Sequence, residues 1–139
     1  MMYVLDASVI IKWFSEEEFT DTAVEIRNRF FKGKCELAAP DLALYEVPNA
    51  LRFNPNFNDD DVIEAVNSLF DMGISIIVPT PRVIKSSIAI AFKYNITIYD
   101  AFYVALANEI GFTFVTADSK LCQKTKDMKS VRHISEIKF

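Results

Sequence analysis

Five short apolar runs alternate with stretches of helical periodicity along this chain: MYVLD, CELAAP, ISIIV, FTFVT and, more weakly, VRHIS. Runs of this length suit strands, and apolar residues in unbroken succession suit strands buried on both faces of a parallel sheet. Between the first two runs, Ala23, Val24, Ile26, Phe30 and Phe31 fall at helical spacing, and Gly33 offers a stop. A short helix is expected over VIIKWF, and Asp41 is expected to cap a helix through Arg52 that Pro48 strains. The acidic run Asp59 to Asp61 suits the start of another helix, ending near Gly73, because carboxylates favour the positive end of the helix dipole. Pro79 and Pro81 punctuate the third strand before a helix from Arg82 to Tyr94, and Ala101 to Ile110 reads as the next, stopped by Gly111. Such alternation predicts an α/β fold: a three-layer α/β/α sandwich around a mainly parallel sheet of four to five strands, with right-handed crossovers.

At 139 residues the chain fits one domain, residues 1–139, and a hydrophobic content of 51% with only three Gly and five Pro argues for one core without linkers. Charges at Asp6, Lys12, Lys93, Asp100 and Glu109 interrupt the apolar stretches far short of the ~20 residues a membrane span needs. The first apolar run lacks a basic leader, so a cytoplasmic location is expected and no membrane association. Cys35 and Cys122 have no Cys or His neighbour at zinc-ligand spacing and read as reduced thiols. His133, the only histidine, has no catalytic partner in sequence, and no Gly-x-Ser-x-Gly elbow supports Ser/His/Asp chemistry.

Four acids stand out against this frame: Asp6 in YVLDAS, Glu46 in LALYEVPNAL, Asp100 in IYDAFYVALA and Asp118 in FVTADSKL. Each lies in or beside an apolar run, where a carboxylate is costly to desolvate unless a cation or hydrogen-bond donors satisfy it. Element lengths bring them together. A helix from Ala101 to Ile110 runs about 15 Å and a five-residue return strand about 16 Å, so Asp100 and Asp118 meet at one edge of the sheet. Asp6 ends the first strand and Glu46 follows the second, which places all four at the carboxyl edge, where open α/β sheets bind ligands. Capping is the alternative for Asp6 with Ser8, for Asp100 and for Asp118. Glu46, flanked by Leu44, Tyr45, Val47 and Leu51, has no cap to serve, and a pair with Arg52 is its ordinary alternative. Converging carboxylates would raise one another's pKa, and a cation is the natural means of keeping them ionised. The net charge of −4 fits that picture: setting the four acids aside leaves fifteen acidic against fifteen basic residues. Oxygen donors without imidazole or thiolate favour Mg²⁺ or Mn²⁺ over zinc.

DAS after the first strand, EVPNAL, YDAFYVALA and TAD resemble, in order and over nearly the whole chain, the acidic motifs of the PIN domain, in particular the small VapC-type toxins of toxin–antitoxin pairs. The resemblance implies a metal-dependent ribonuclease, its acids at Asp6, Glu46, Asp100 and Asp118 and its small polar positions at Ser8 and Thr116. It also implies an RNA substrate and a VapB-type antitoxin partner, while an exposed share of the aromatics in the front half of the chain would suit a homodimer seam or a groove for an antitoxin segment. Phosphodiester hydrolysis at ions about 3.5–4 Å apart is the expected chemistry, with Asp6 and Asp100 as direct ligands and Glu46 and Asp118 binding through water or orienting the nucleophile. Ser8 and Thr116 are candidates to hydrogen-bond the ligands.

Lys12, Arg52, Arg82, Lys85, Lys120, Lys124 and Lys126 are the cationic candidates for RNA, and Trp13, Phe14, Phe19, Phe30, Phe53 and Phe57 are core residues or part of a docking surface. A phospho-accepting receiver domain fits less well, because Asp6 stands alone after its strand and the third strand ends in Pro79. An Asp-x-Asp phosphohydrolase fails because position 8 is Ser. An RNA-processing nuclease outside a toxin system and an inactive PIN-like binding protein are the remaining alternatives.

Overall fold

A computed structural model describes all of residues 1–139. Its centre is a five-stranded, wholly parallel sheet in the order β3-β2-β1-β4-β5, formed by β1 (Met2–Leu5), β2 (Glu36–Pro40), β3 (Ser75–Ile77), β4 (Thr113–Thr116) and β5 (Val131–His133). Seven helices surround it: α1 (Ala7–Ile10), α2 (Thr20–Phe31), α3 (Ala43–Arg52), α4 (Asp59–Asp71), α5 (Pro81–Tyr94), α6 (Ile98–Ile110) and α7 (Ser119–Lys124). From β1 to β3 the chain moves one way across the sheet, and from β3 to β4 it jumps back past β1. Right-handed crossovers therefore place α1–α4 on one face and α5–α6 on the other, giving the expected three layers. The direction reverses between β1 and β4, and the crevice at their carboxyl ends is the topological switch point of the sheet.

The central strands are buried as their apolar runs require. Val4, Leu5, Phe114 and Val115 are fully inaccessible, and α6, packed on β1, β2 and β4, buries Ala101, Tyr103, Val104 and Ala107. Most of the front-half aromatics belong to this core: Trp13 is buried and donates its indole N–H to the Ala23 carbonyl at 2.8 Å, while Phe14, Phe19, Phe30 and Phe57 pack against it half-buried. Phe53 is exposed.

Three boundaries differ from expectation, each for a local reason. The VIIKWF segment divides into α1 and a 3-10 turn over Ile11–Trp13. Asp41 is not a cap: its N–H still follows the sheet, bonding the Ile77 carbonyl at 3.1 Å, and α3 starts at Ala43 with no side-chain cap. The helix continues through Pro48, which has no N–H to return to Leu44. Finally, α6 begins at Ile98 and not at Ala101, because the Thr97 hydroxyl accepts the Asp100 N–H at 3.1 Å and caps it three residues earlier. The acidic start of α4 is as expected, with Asn58 and Asp61 closing a reciprocal capping box.

Candidate active site

Asp6 leaves β1 directly beside β4, its N–H donating to the Val115 carbonyl at 3.0 Å. Its carboxylate is buried and braced from two elements. The Thr116 hydroxyl at the end of β4 donates to Oδ2 at 2.6 Å, and the Ser8 hydroxyl in α1 donates to the same oxygen at 2.7 Å. Each hydroxyl in turn accepts a backbone N–H, Ser8 from Ala117 at 3.0 Å and Thr116 from Asp118 at 3.1 Å. A hydroxyl has one proton, so both are committed to Asp6, an arrangement built for an ionised acceptor. Asp6 does not cap α1 with its side chain. No hydrogen bond reaches its second oxygen, Oδ1.

The other three acids approach from α3, α6 and the turn before α7. Glu46, in the first turn of α3, accepts the Tyr103 hydroxyl at 2.6 Å on Oε1. Arg52 forms no ion pair with it; the guanidinium lies over the Phe53 ring, 5.0 Å from its centroid. Asp100 is half-buried in the first turn of α6, a position the helix dipole favours for a carboxylate. Asp118 is exposed and does cap its helix, Oδ1 accepting the Leu121 N–H at 3.1 Å. All four line one pocket of about 370 Å³, together with Ser8 and Asn49.

Sequence reasoning misses Tyr103, although its place three residues after Asp100 sets both on one face of α6. Fully buried and stacked on Phe114 at 5.4 Å between centroids, it presents a fixed donor to Glu46.

Burial is the main perturbation of Asp6, Glu46 and Asp100, ahead of mutual repulsion. It drives the Asp6 pKa up to about 6, against the hydrogen bonds from Thr116 and Ser8, with smaller contributions from the charges of Glu46 and Asp100. Glu46 is raised by burial, opposed by the Tyr103 bond and reinforced by Asp100. Asp100 is raised first by burial and then by Asp118, while Lys124 opposes the shift. No group of three carboxylate, thiol or imidazole side chains is gathered closely enough to hold a cation by side chains alone. A cation such as Mg²⁺ does not require such a cage, since it retains several waters and takes only one or two carboxylates directly. The donor set is all hard oxygen, and Asp6 offers one oxygen free of hydrogen bonds, so the residues fit a hydrated divalent cation.

The remaining expectations divide. Lys12 is buried and paired with Glu17 at 3.2 Å, which removes it from the cationic surface, and Arg82 pairs with Glu109 at 3.3 Å. Lys120 and Lys124 line a second cleft that shares Asp100 and Asp118 with the first. His133 ends β5 outside the pocket, its Nδ1 2.7 Å from the Ser135 hydroxyl. Cys35 and Cys122 are free thiols.

A parallel α/β sheet with buried and half-buried carboxylates at its switch point defines the class of acidic-pocket α/β proteins. Within that class the chain belongs to the PIN-domain family, whose model matches residues 3–127. It is 34% identical over 128 residues to ribonuclease VapC3 of Pyrobaculum aerophilum, an alignment covering 89% of this chain and 95% of that protein. A toxin–antitoxin complex from Klebsiella pneumoniae shares the fold with a TM-score of 0.72 at 16% identity, covering 97% of this chain and 99% of that one. VapBC2 from Rickettsia felis, solved bound to a DNA fragment from its promoter, gives a TM-score of 0.71 at 12% identity, covering 96% and 98%. No helix of the chain is long and apolar enough to cross a membrane.

Proposed function

We propose that this protein is an endoribonuclease dependent on Mg²⁺ or Mn²⁺, the toxin of a toxin–antitoxin pair, and that residues 1–139 act as one domain. The observation that carries the reading is the Asp6 carboxylate: buried, held on one oxygen by two hydroxyls, free of hydrogen bonds on the other, and sharing a pocket with Glu46, Asp100 and Asp118. Supporting it are the family membership and the kinship to a ribonuclease over nearly the full length of both chains.

A divalent cation in such a site lowers the pKa of water and offsets charge on a phosphodiester. The protein's part is to hold and orient. Asp6 and Asp100 are assigned as its direct ligands, and Ser8 and Thr116 hold Oδ2 of Asp6, which leaves Oδ1 free of hydrogen bonds for the cation. Glu46, fixed by Tyr103, and Asp118, fixed as a helix cap, orient water and accept its proton. A VapB-type antitoxin as partner, a homodimer and a cytoplasmic setting complete the proposal; relatives solved as toxin–antitoxin complexes support the first.

The test is incubation of the purified protein with mixed RNAs, with and without Mg²⁺ or Mn²⁺, beside Asp6→Asn. Cleavage that needs the metal and disappears in the variant is the expected result. Equal cleavage by both proteins would remove Asp6 from the site.

A further inference from the structure

Resting on that reading, we propose that the cleft between the α5–α6 loop and α7 is a binding site for an RNA phosphate adjacent to the scissile one, held by Lys120 and Lys124. The cleft has a volume of about 380 Å³, and Asp100 and Asp118 line both it and the acidic pocket, so the two adjoin. Lys120 and Lys124 stand four residues apart on α7 and therefore on one face of it. Neither is consumed in an ion pair: the four ion pairs of the chain use Lys12, Arg29, Arg82 and Arg132. Lys124 is anchored across the cleft, its Nζ donating to the Asn95 carbonyl at 3.0 Å, which leaves two N–H donors of its ammonium for a ligand.

Electrostatics favour this route over the alternative. A polyanion entering a pocket of four carboxylates on a chain of net charge −4 requires cations beside those acids, because phosphate neutralisation is the main source of affinity. The cleft on the other side, between α3 and α4, shares Asn49 with the acidic pocket but sets its single cation, Arg52, among Asp59, Val62 and Ile63. The α7 cleft pairs two lysines with the amide of Asn95 and the hydroxyl of Thr97, a lining suited to a phosphodiester and its sugar.

The experiment measures binding of a fluorescein-labelled single-stranded RNA oligonucleotide to the Asp6→Asn chain, which is expected to cut it on the order of 10³-fold more slowly, across a salt series. In that background, Lys120→Ala/Lys124→Ala is compared with Lys34→Ala at the opposite, amino edge of the sheet. One phosphate contact per lysine predicts that the slope of log K against log salt falls by about 0.7 for each, roughly 1.4 for the pair. Lys34→Ala should leave the slope alone, and Lys120→Arg/Lys124→Arg should restore it, which separates charge from any loss of folding. A slope unchanged in the double alanine variant overturns the proposal, and the lysines would then be counter-charges to the acids only. RNA cleavage by the unmodified protein is read separately, so a failed subsite with intact cleavage leaves the ribonuclease reading standing. Absent cleavage and absent binding would sink both.

Discussion

The two walls of the acidic pocket are built on different principles. On the inner wall, Asp6 and Glu46 receive short hydrogen bonds from buried hydroxyls, Thr116 and Tyr103, which have no freedom to turn elsewhere. On the outer wall, Asp100 and Asp118 sit at helix starts, half-buried and exposed, beside lysines and next to the second cleft. The inner wall is preorganised at a cost in desolvation that is greatest at Asp6; on the outer wall burial also raises Asp100, and exposed Asp118 faces whatever enters. This division predicts that the inner acids govern chemistry and unliganded stability, while the outer ones govern approach and local helix structure.

The largest expected effect separates the walls by activity. Asp6→Asn preserves an acceptor for Ser8 and Thr116 but removes the charge, and should lower kcat by on the order of 10³-fold, as loss of a positioned charge in a low-dielectric site does. Asp118→Asn retains the cap, for which Asn and Asp are equivalent, and removes the same charge from an exposed position. Its loss should be about tenfold at saturating metal, because exposed charges are screened. Equal losses in the two variants, measured on one RNA substrate, would erase the distinction between the walls.

Next in size is stability without added metal. The Asp6 pKa rises on folding from 3.8 to about 6, so between those values the folded state binds more protons than the unfolded one and stability falls as pH rises. The raised values of Glu46 and Asp100 act in the same direction. A rise of that size at a fully buried carboxyl corresponds to roughly 3 kcal/mol. Asp6→Asn should therefore be the more stable chain at pH 7, by up to about that amount, and no more stable below about pH 3, where Asp6 is protonated in both states. Denaturant melts at the two pH values check this. Millimolar Mn²⁺ should close the gap by stabilising only the unmodified chain, through mass action on the folded state.

Much of this is legible in the sequence because the physics involved is local. The strand runs, the start of α4 at the acidic run Asp59 to Asp61 and the carboxyl-edge position of the acids follow from periodicity, the helix dipole and element lengths. Two kinds of fact are not legible. Which helix an acid caps depends on a neighbour one or three residues away: Thr97 takes the role for which Asp100 is a candidate in the sequence, and Asp118 keeps its own. Which side chain braces a carboxylate across elements depends on tertiary packing, so Tyr103, separated from Glu46 by 57 positions, reads in the sequence as one more core aromatic. The lysines show the same limit: no pattern in the chain distinguishes buried Lys12 from the cleft residues Lys120 and Lys124.

Within the inner wall, the two braces should differ in strength. Thr116→Val keeps the volume of a fully buried side chain while deleting the donor to Asp6 and the acceptor for the Asp118 N–H. A loss of about 2 kcal/mol is expected, since a bond to a buried charge is removed and a buried acceptor is left short. Tyr103→Phe keeps the stack on Phe114 and deletes one bond to a half-buried carboxylate that water can reach, for a loss of about 1 kcal/mol. Thermal melts at pH 7 give the order. A reversed order would mean that Glu46, and not Asp6, carries the main burden of burial.

The smallest effect tests the outer wall on its own terms. Asp118→Ala removes both the charge and the bond to the Leu121 N–H, whereas Asp118→Asn removes the charge alone. The difference in stability between these two variants is the worth of the cap, about 0.5–1 kcal/mol for an exposed helix of six residues. Their ribonuclease activities should be nearly equal if the carboxylate acts by its charge. If activity instead follows the cap, with the Asn variant close to the unmodified protein and the Ala variant far below it, Asp118 serves by holding α7 in place. The outer wall would then act through the position of Lys120 and Lys124, and only three of the four acids would belong to the chemistry.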